Sequence, residues 1–221
     1  ENNKFFFYSE DEISVTTLIR NTAVSLGEKN TLADKIIRPI LNIDQKYKYG
    51  QNDFRIGYWV EDSEILRGGD IKLNILLNSN KELQQLALEF PSNDLVIAFN
   101  EWFMKDTDLR KDFDTYVKTI TYLKHNQDST TGDRRKTHEK FSERNSNIES
   151  RIKDAFIRHM SDTRFISQNR IIEASEINGT TPKERYNNLL EKHFSGIYQY
   201  HKLSVDYCTT ANELRLEVVR T

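Results

Sequence analysis

Ile71-Lys72-Leu73-Asn74-Ile75-Leu76-Leu77 puts an apolar side chain at every second position, and Leu95-Val96-Ile97-Ala98-Phe99 is apolar throughout. Alternation with a period of two marks a strand with one buried face. An unbroken short apolar run marks a central strand covered on both faces. Between them, residues 81–90 carry Leu83, Leu86, Ala87 and Phe90 at helical spacing, and Pro91 ends that helix. Strand, helix, strand predicts a right-handed crossover within one sheet.

Upstream, Phe54, Ile56, Tyr58 and Val60 alternate with Arg55, Gly57 and Trp59 and predict a further strand, with Gly68-Gly69 allowing a tight turn before the next. At the N-terminal end, Ser9-Glu10-Asp11-Glu12 has the form of a capping box. It opens a helix with Val15, Leu18, Ile19 and Leu26 on its apolar face and Gly27 as its stop. Thr31 and Asp34 offer a cap for a second helix through Ile36, Ile37, Ile40 and Leu41, which Pro39 is expected to kink or break. Phe5-Phe6-Phe7 reads as a core anchor in preference to a partner-facing patch.

Downstream, residues 106–125 form a strong helix whose buried stripe is Leu109, Phe113, Tyr116, Val117, Ile120 and Leu123. Acidic residues at its start and basic residues at its end suit the helix dipole. Residues 126–132 are polar and mark the best internal boundary. A long charged helix runs from there to about Met160. A hairpin turning at Gln168-Asn169 follows, then a turn at Asn178-Gly179. Thr181-Pro182-Lys183-Glu184 joins an N-cap, a proline at the first helical position and a glutamate at N3, ahead of Leu189, Leu190 and Phe194. Leu214-Arg215-Leu216-Glu217-Val218 alternates and reads as a strand, with a helix as the alternative. The fold class is therefore α+β: a small mixed sheet with flanking helices and one or two long helices. Two units are expected, 1–126 as a helical entry plus α+β unit, and 127–221 as the long helix, the hairpin and a C-terminal helix packed with it.

Composition bounds the function. The chain has 221 residues with 32 Lys plus Arg against 34 Asp plus Glu, so a chain-wide basic coat for nucleic acid is excluded while a local patch is not. Aromatics at 11% argue against disorder. One cysteine, Cys208, excludes an internal disulfide and a multi-thiolate zinc site, and fits a reducing, cytoplasmic compartment. No run approaches the roughly 20 apolar residues of a membrane helix. The sequence opens on Glu1 without an initiator Met and reads as a piece of something longer.

Catalytic motifs are scarce. The glycine-rich phosphate loops and the nucleophile elbow have no match here. His125, His138, His159, His193 and His201 show no metal spacing. Asp70-Ile71-Lys72, with Asp53 or Asp62 upstream, has the acid-x-Lys form of metal-dependent nucleases, but after Gly68-Gly69 turn chemistry is the better reading. Asn178-Gly179-Thr180 matches a glycosylation acceptor and reads as a plain turn. No cofactor and no metal ligand is expected. The long helix carries the one constellation of interest. Lys136, Lys140, Arg144, Arg151 and Arg158 follow one another at spacings of 4, 4, 7 and 7. At 100° per residue all five fall within about 80° of one another. Phe141, Ile148, Ile152 and Ala155 form an adjacent apolar stripe. Such a basic stripe suits a phosphate backbone, an acidic protein surface or simply solvent.

Several blocks together resemble one family. Tyr8-Ser9-Glu10-Asp11-Glu12-Ile13 leads into Leu18-Ile19-Arg20-Asn21-Thr22-Ala23, then Ala33-Asp34-Lys35-Ile36-Ile37-Arg38-Pro39-Ile40-Leu41. Thr181-Pro182-Lys183-Glu184-Arg185 precedes a helix ending in Ile197-Tyr198-Gln199-Tyr200-His201-Lys202-Leu203. In this order they are similar to the region after the ATPase core of BrxC, the large P-loop protein of bacterial BREX phage-defence systems. The resemblance implies a parent ATPase acting with a methyltransferase and other BREX proteins. It carries over no P-loop residue, because the motif has no counterpart here. The expected role is a non-catalytic module that couples the nucleotide cycle to duplex DNA or to a partner protein, through the stripe from Lys136 to Arg158. The alternative is a protein-protein scaffold or oligomerisation domain; a metal-dependent nuclease around Asp70 and Lys72 ranks third. Other BREX components or domains of the parent chain are the expected partners, and no membrane is involved.

Overall fold

A computed structural model describes residues 10–126 and 133–198. The decisive stretch folds as its pattern predicts. Ile71–Leu76 is β4, Leu83–Glu89 is α3 and Asp94–Ala98 is β5, with β4 and β5 parallel and in register from Lys72 opposite Asp94 to Leu76 opposite Ala98. Asn52–Val60 is β2, parallel to β4 on its other side. The further pairings are antiparallel: β1 (Lys46–Tyr49) and β3 (Ser63–Leu66) on β2, β6 (Phe165–Ser167) on β5, and β7 (Arg170–Ile172) on β6. The sheet therefore runs β1-β2-β4-β5-β6-β7, and β3 folds back on β2 outside that path. The fold is α+β with a mixed sheet. The strands after residue 126 join the same sheet, with β6 and β7 beside β5.

Helices cover the sheet unequally. One face is packed by α2 (Leu26–Leu41), the short α4 (Asn100–Phe103), α5 (Thr107–His125), α6 (Asp133–His159) and α7 (Pro182–Ile197). Ile56, Tyr58, Leu73, Ile75 and Leu95 from the strands meet Ile36, Val117, Ile152 and Leu189 from those helices in a single core. On the opposite face, among the described residues, only the short α3 is seated, closing Leu83, Leu86 and Ala87 over Val96, Ala98 and Ile166. A third, small cluster docks α1 (Glu10–Asn21) on α5 and α6 through Val15, Ile19, Tyr122 and Phe141.

Glycine is required where the loop before β4 closes on β2. Gly69 has φ of +147°, and a Cβ there would lie 2.2 Å from the Gly57 nitrogen. At Gly57 a Cβ would lie 2.3 Å from the Gly68 carbonyl oxygen and 2.6 Å from the Trp59 ring. The expected hairpin turns at Gln168 and Asn169, both at positive φ, as a two-residue turn of this hand demands.

Three helix boundaries correct the sequence reading. Gly27 does not stop α1, which ends at Asn21; it lies in the first turn of α2. The cap of α2 is a box of Ser25 and Glu28, each side chain bonded to the other's backbone, and not Thr31 or Asp34. Thr31 instead bonds back to the Gly27 carbonyl, and Asp34 pairs with Arg38. Pro39 leaves α2 unbroken to Leu41, because it falls in the last turn, where little of the ladder remains to be lost. The expected cap at Ser9, Phe5-Phe6-Phe7, His201, Cys208 and the strand at 214–218 lie outside the described residues.

Candidate functional site

The 27 residues of α6 make a rod of about 40 Å. Its buried side is Phe141, Asn145, Ile152, Ala155 and Phe156, and the basic residues stand beside it. Lys140 Nζ lies 3.0 Å from Glu12 Oε1, and Arg144 Nη2 lies 3.6 Å from the same oxygen. Glu12 belongs to α1 and is only 3% exposed. Arg151 grips Asp112 of α5 with two hydrogen bonds, Nε donating at 2.9 Å and Nη2 at 2.8 Å. That bidentate bond, to a carboxylate that accepts both, holds the Arg151 guanidinium pKa above its ordinary value. Lys136 and Arg158, near the ends of the stripe, are exposed. So the central cations of the stripe meet carboxylates of the two neighbouring helices and clamp α1 and α5 to α6.

Sequence reasoning missed these partners. The sequence offers Glu12 a capping role only, and helical periodicity within one element says nothing about which element lies against it. Beside the clamp, a cleft of about 290 Å³ opens between α1, α5 and α6, lined by Ile19, Phe141 and Asn145 among others. Asn145 donates to the Tyr116 carbonyl at 3.3 Å, while its own Oδ1 is buried without a partner.

Asp70 has turn chemistry: its Oδ2 accepts the Arg55 backbone N–H at 2.8 Å. Lys72 stands with its ammonium 5.2 Å from the centre of the Trp59 ring. No group of three or more metal-ligating side chains occurs among the described residues. At the carboxyl end of β4, where open sheets usually bind ligands, the Glu61 carboxylate already accepts the Leu77 and Asn78 N–H groups. Burial raises its pKa, and those two bonds oppose the rise.

His193 is fully buried on α7. Its Nε2 faces the Asn93 carbonyl at 3.3 Å, and its Nδ1 lies 2.7 Å from Ser167 Oγ. A carbonyl only accepts, so Nε2 carries the proton and Nδ1 accepts from Ser167. Burial pulls its pKa down to about 4, against the Asn93 bond. This neutral ring joins α7, β6 and the start of β5. His159 stacks on Trp102, with ring centres 4.7 Å apart. Arg185 is a buried cation held by carbonyls alone, those of Met160, Ser161, Ala174 and Ile177. It ties the end of α6 to α7. No helix among the described residues is long and apolar enough to cross a membrane.

Residues 23–192 match the family model described as the BREX ATP-binding protein BrxC 4th domain with six-stranded beta sheet. The six strands of the path β1-β2-β4-β5-β6-β7 agree with that description. No curated protein and no solved structure matches.

Proposed function

Because the chain belongs to the BrxC family of BREX ATP-binding proteins, over the region of its fourth domain, we propose that it is a non-catalytic module coupling the parent's nucleotide cycle to DNA. Other BREX components are the partners that membership in the system implies. The contact is the basic face of α6: Lys136, Lys140, Arg144, Arg151 and Arg158. The observation that carries the reading is the double clamp, Lys140 and Arg144 on Glu12 and Arg151 on Asp112. Phosphates reaching these cations must exchange with carboxylates that hold α1 and α5 in place. Binding at the stripe is then linked to the docking of those helices, and a linked equilibrium is what coupling requires.

The test is binding of duplex DNA over a salt series, beside a variant with Lys140, Arg144 and Arg151 changed to alanine. Each phosphate contact contributes about -0.9 to the slope of log affinity against log salt. The reading expects a shallower slope in the variant, and faster amide exchange in α1 when DNA binds. Absence of binding at low salt removes it. In that case the second reading leads, a scaffold for an acidic protein surface. That reading is favoured by the fact that the ligands already held by the stripe are carboxylates.

A further inference from the structure

Among the described residues, the helices leave part of one sheet face open. α3 covers the β5–β7 end of that face, and no described helix packs on its β1-β2-β4 end. Strand alternation and register fix which side chains stand there. Lys46 is opposite Arg55, Lys48 is opposite Asp53, and Lys72 is opposite Gly57. These residues share a face with Trp59, two positions on from Gly57. Tyr47, Phe54, Ile56 and Tyr58 point the other way, into the core.

Lys46, Lys48, Arg55 and Lys72 are all exposed. No ion pair joins any of them to a carboxylate among the described residues, which sets them apart from the centre of the α6 stripe. The acids nearby are otherwise placed. Asp70 accepts the Arg55 backbone N–H. Asp94, opposite Lys72 and within reach of its charge, is buried against Asn74 Nδ2 at 3.2 Å. Asp53 stands exposed in the same row as Lys48, and Glu64, exposed opposite Trp59, pairs with Arg67 at 3.8 Å. Lysines on an edge strand discourage edge-to-edge pairing, and that would account for Lys46 and Lys48. It does not account for Arg55 and Lys72, which sit on strands with neighbours on both sides. The Trp59 ring lies over Gly57, where a side chain would collide with it, and the Lys72 ammonium stands 5.2 Å from its centre.

We propose that this open face of β1, β2 and β4 binds a single strand of nucleic acid, with Lys46, Lys48, Arg55 and Lys72 on its phosphates and Trp59 against a base. Exposed cations with no carboxylate partner among the described residues, set around an aromatic ring on a sheet, are the two elements that single-strand recognition uses: an electrostatic track and a stacking platform. An acidic protein would use the cations but has no need of the ring. The inference rests on the reading that this module meets DNA, and adds a second contact on the opposite side of the sheet from α6.

The experiment is titration of a fluorescently labelled dT oligonucleotide of about 15 nucleotides into the 221-residue chain across a salt series. Three variants run beside it: Lys46, Lys48 and Arg55 all to alanine; Trp59→Ala; and the α6 triple alanine variant. Single strands contribute a slope of about -0.7 per contact, so the sheet variant should bind with a slope shallower by about 2. Trp59→Ala should weaken binding by roughly five-fold or more with the slope unchanged, as loss of one stacked base does. The α6 variant should keep the wild-type slope for dT. An unchanged slope in the sheet variant overturns the inference. If the α6 variant alone still lowers the duplex slope, the proposed function survives that result. Failure of the wild-type chain to bind either oligonucleotide at low salt overturns both.

Discussion

Two basic surfaces of this domain are built from the same residue types and behave differently. On α6, Lys140, Arg144 and Arg151 reach carboxylates on neighbouring helices. On the open sheet face, Lys46, Lys48, Arg55 and Lys72 reach none among the described residues. The difference teaches that a cluster of cations in sequence is no guide to the availability of those cations. Helical spacing gathers five of them on α6, where two more helices dock alongside and bring Glu12 and Asp112 with them. Strand register gathers four from three neighbouring strands, on a face that the described helices leave open.

The comparison extends to a third setting, the buried interior, and there the largest effect is expected. Arg185 is 8% exposed and bonded to backbone carbonyls alone. Changing it to Met leaves several buried acceptors unmatched and should lower unfolding stability by about 3 kcal/mol or more, read by denaturant melts. An effect under about 1 kcal/mol would show that water replaces the guanidinium easily.

His193 is a buried base kept neutral, and it sets a pH window. Its folded pKa is lowered to about 4 from the ordinary 6.5. Between those values the unfolded chain binds the proton and the folded chain does not. Stability from this group is therefore complete above about pH 6.5 and is lost as pH falls toward 4, by roughly 3 kcal/mol in all. His193→Gln should flatten the fall measured by urea melts between pH 7 and 4. An unaltered profile would place the acid sensitivity elsewhere.

Smaller effects sharpen the clamp itself. A double-mutant cycle on Glu12 and Lys140, using Gln and Ala, should give a coupling of about 1–2 kcal/mol, since the carboxylate is nearly buried. The same cycle on Asp112 and Arg151 should give about 0.5–1 kcal/mol, because Arg151 is 59% exposed and solvent screens the pair. Zero coupling at both sites would mean that the stripe is held in place by its apolar neighbours alone.

Much of the fold could be read from local pattern. The alternation of Ile71, Leu73 and Ile75, the apolar run from Leu95, and the capping box at Thr181 and Glu184 each name their element without help from the rest of the chain. β1 and β3 were not legible. Each is four residues long, and Lys46-Tyr47-Lys48-Tyr49 owes its place to pairing with β2 and to the packing of Tyr47 and Tyr49 on Phe194 of α7. The cap of α2 was misplaced because Leu26 and Gly27 fit the end of one helix as well as the start of the next, and the Ser25–Glu28 box decides between them. The stripe on α6 could be read as a stripe; its partners could not. The open face was invisible, since it exists only once β1, β2 and β4 lie side by side.

The most direct test of the contrast between the two surfaces is a pair of thermal melts on triple alanine variants that each remove three positive charges. One takes Lys140, Arg144 and Arg151 from α6; the other takes Lys46, Lys48 and Arg55 from the sheet. For a domain of this size each kcal/mol is worth about 2–4 °C. The α6 variant should lose about 4–8 °C, and the sheet variant should stay within about 1–2 °C of the wild type. Equal losses, or a larger loss in the sheet variant, would contradict the division between cations that hold the fold and cations left for a partner.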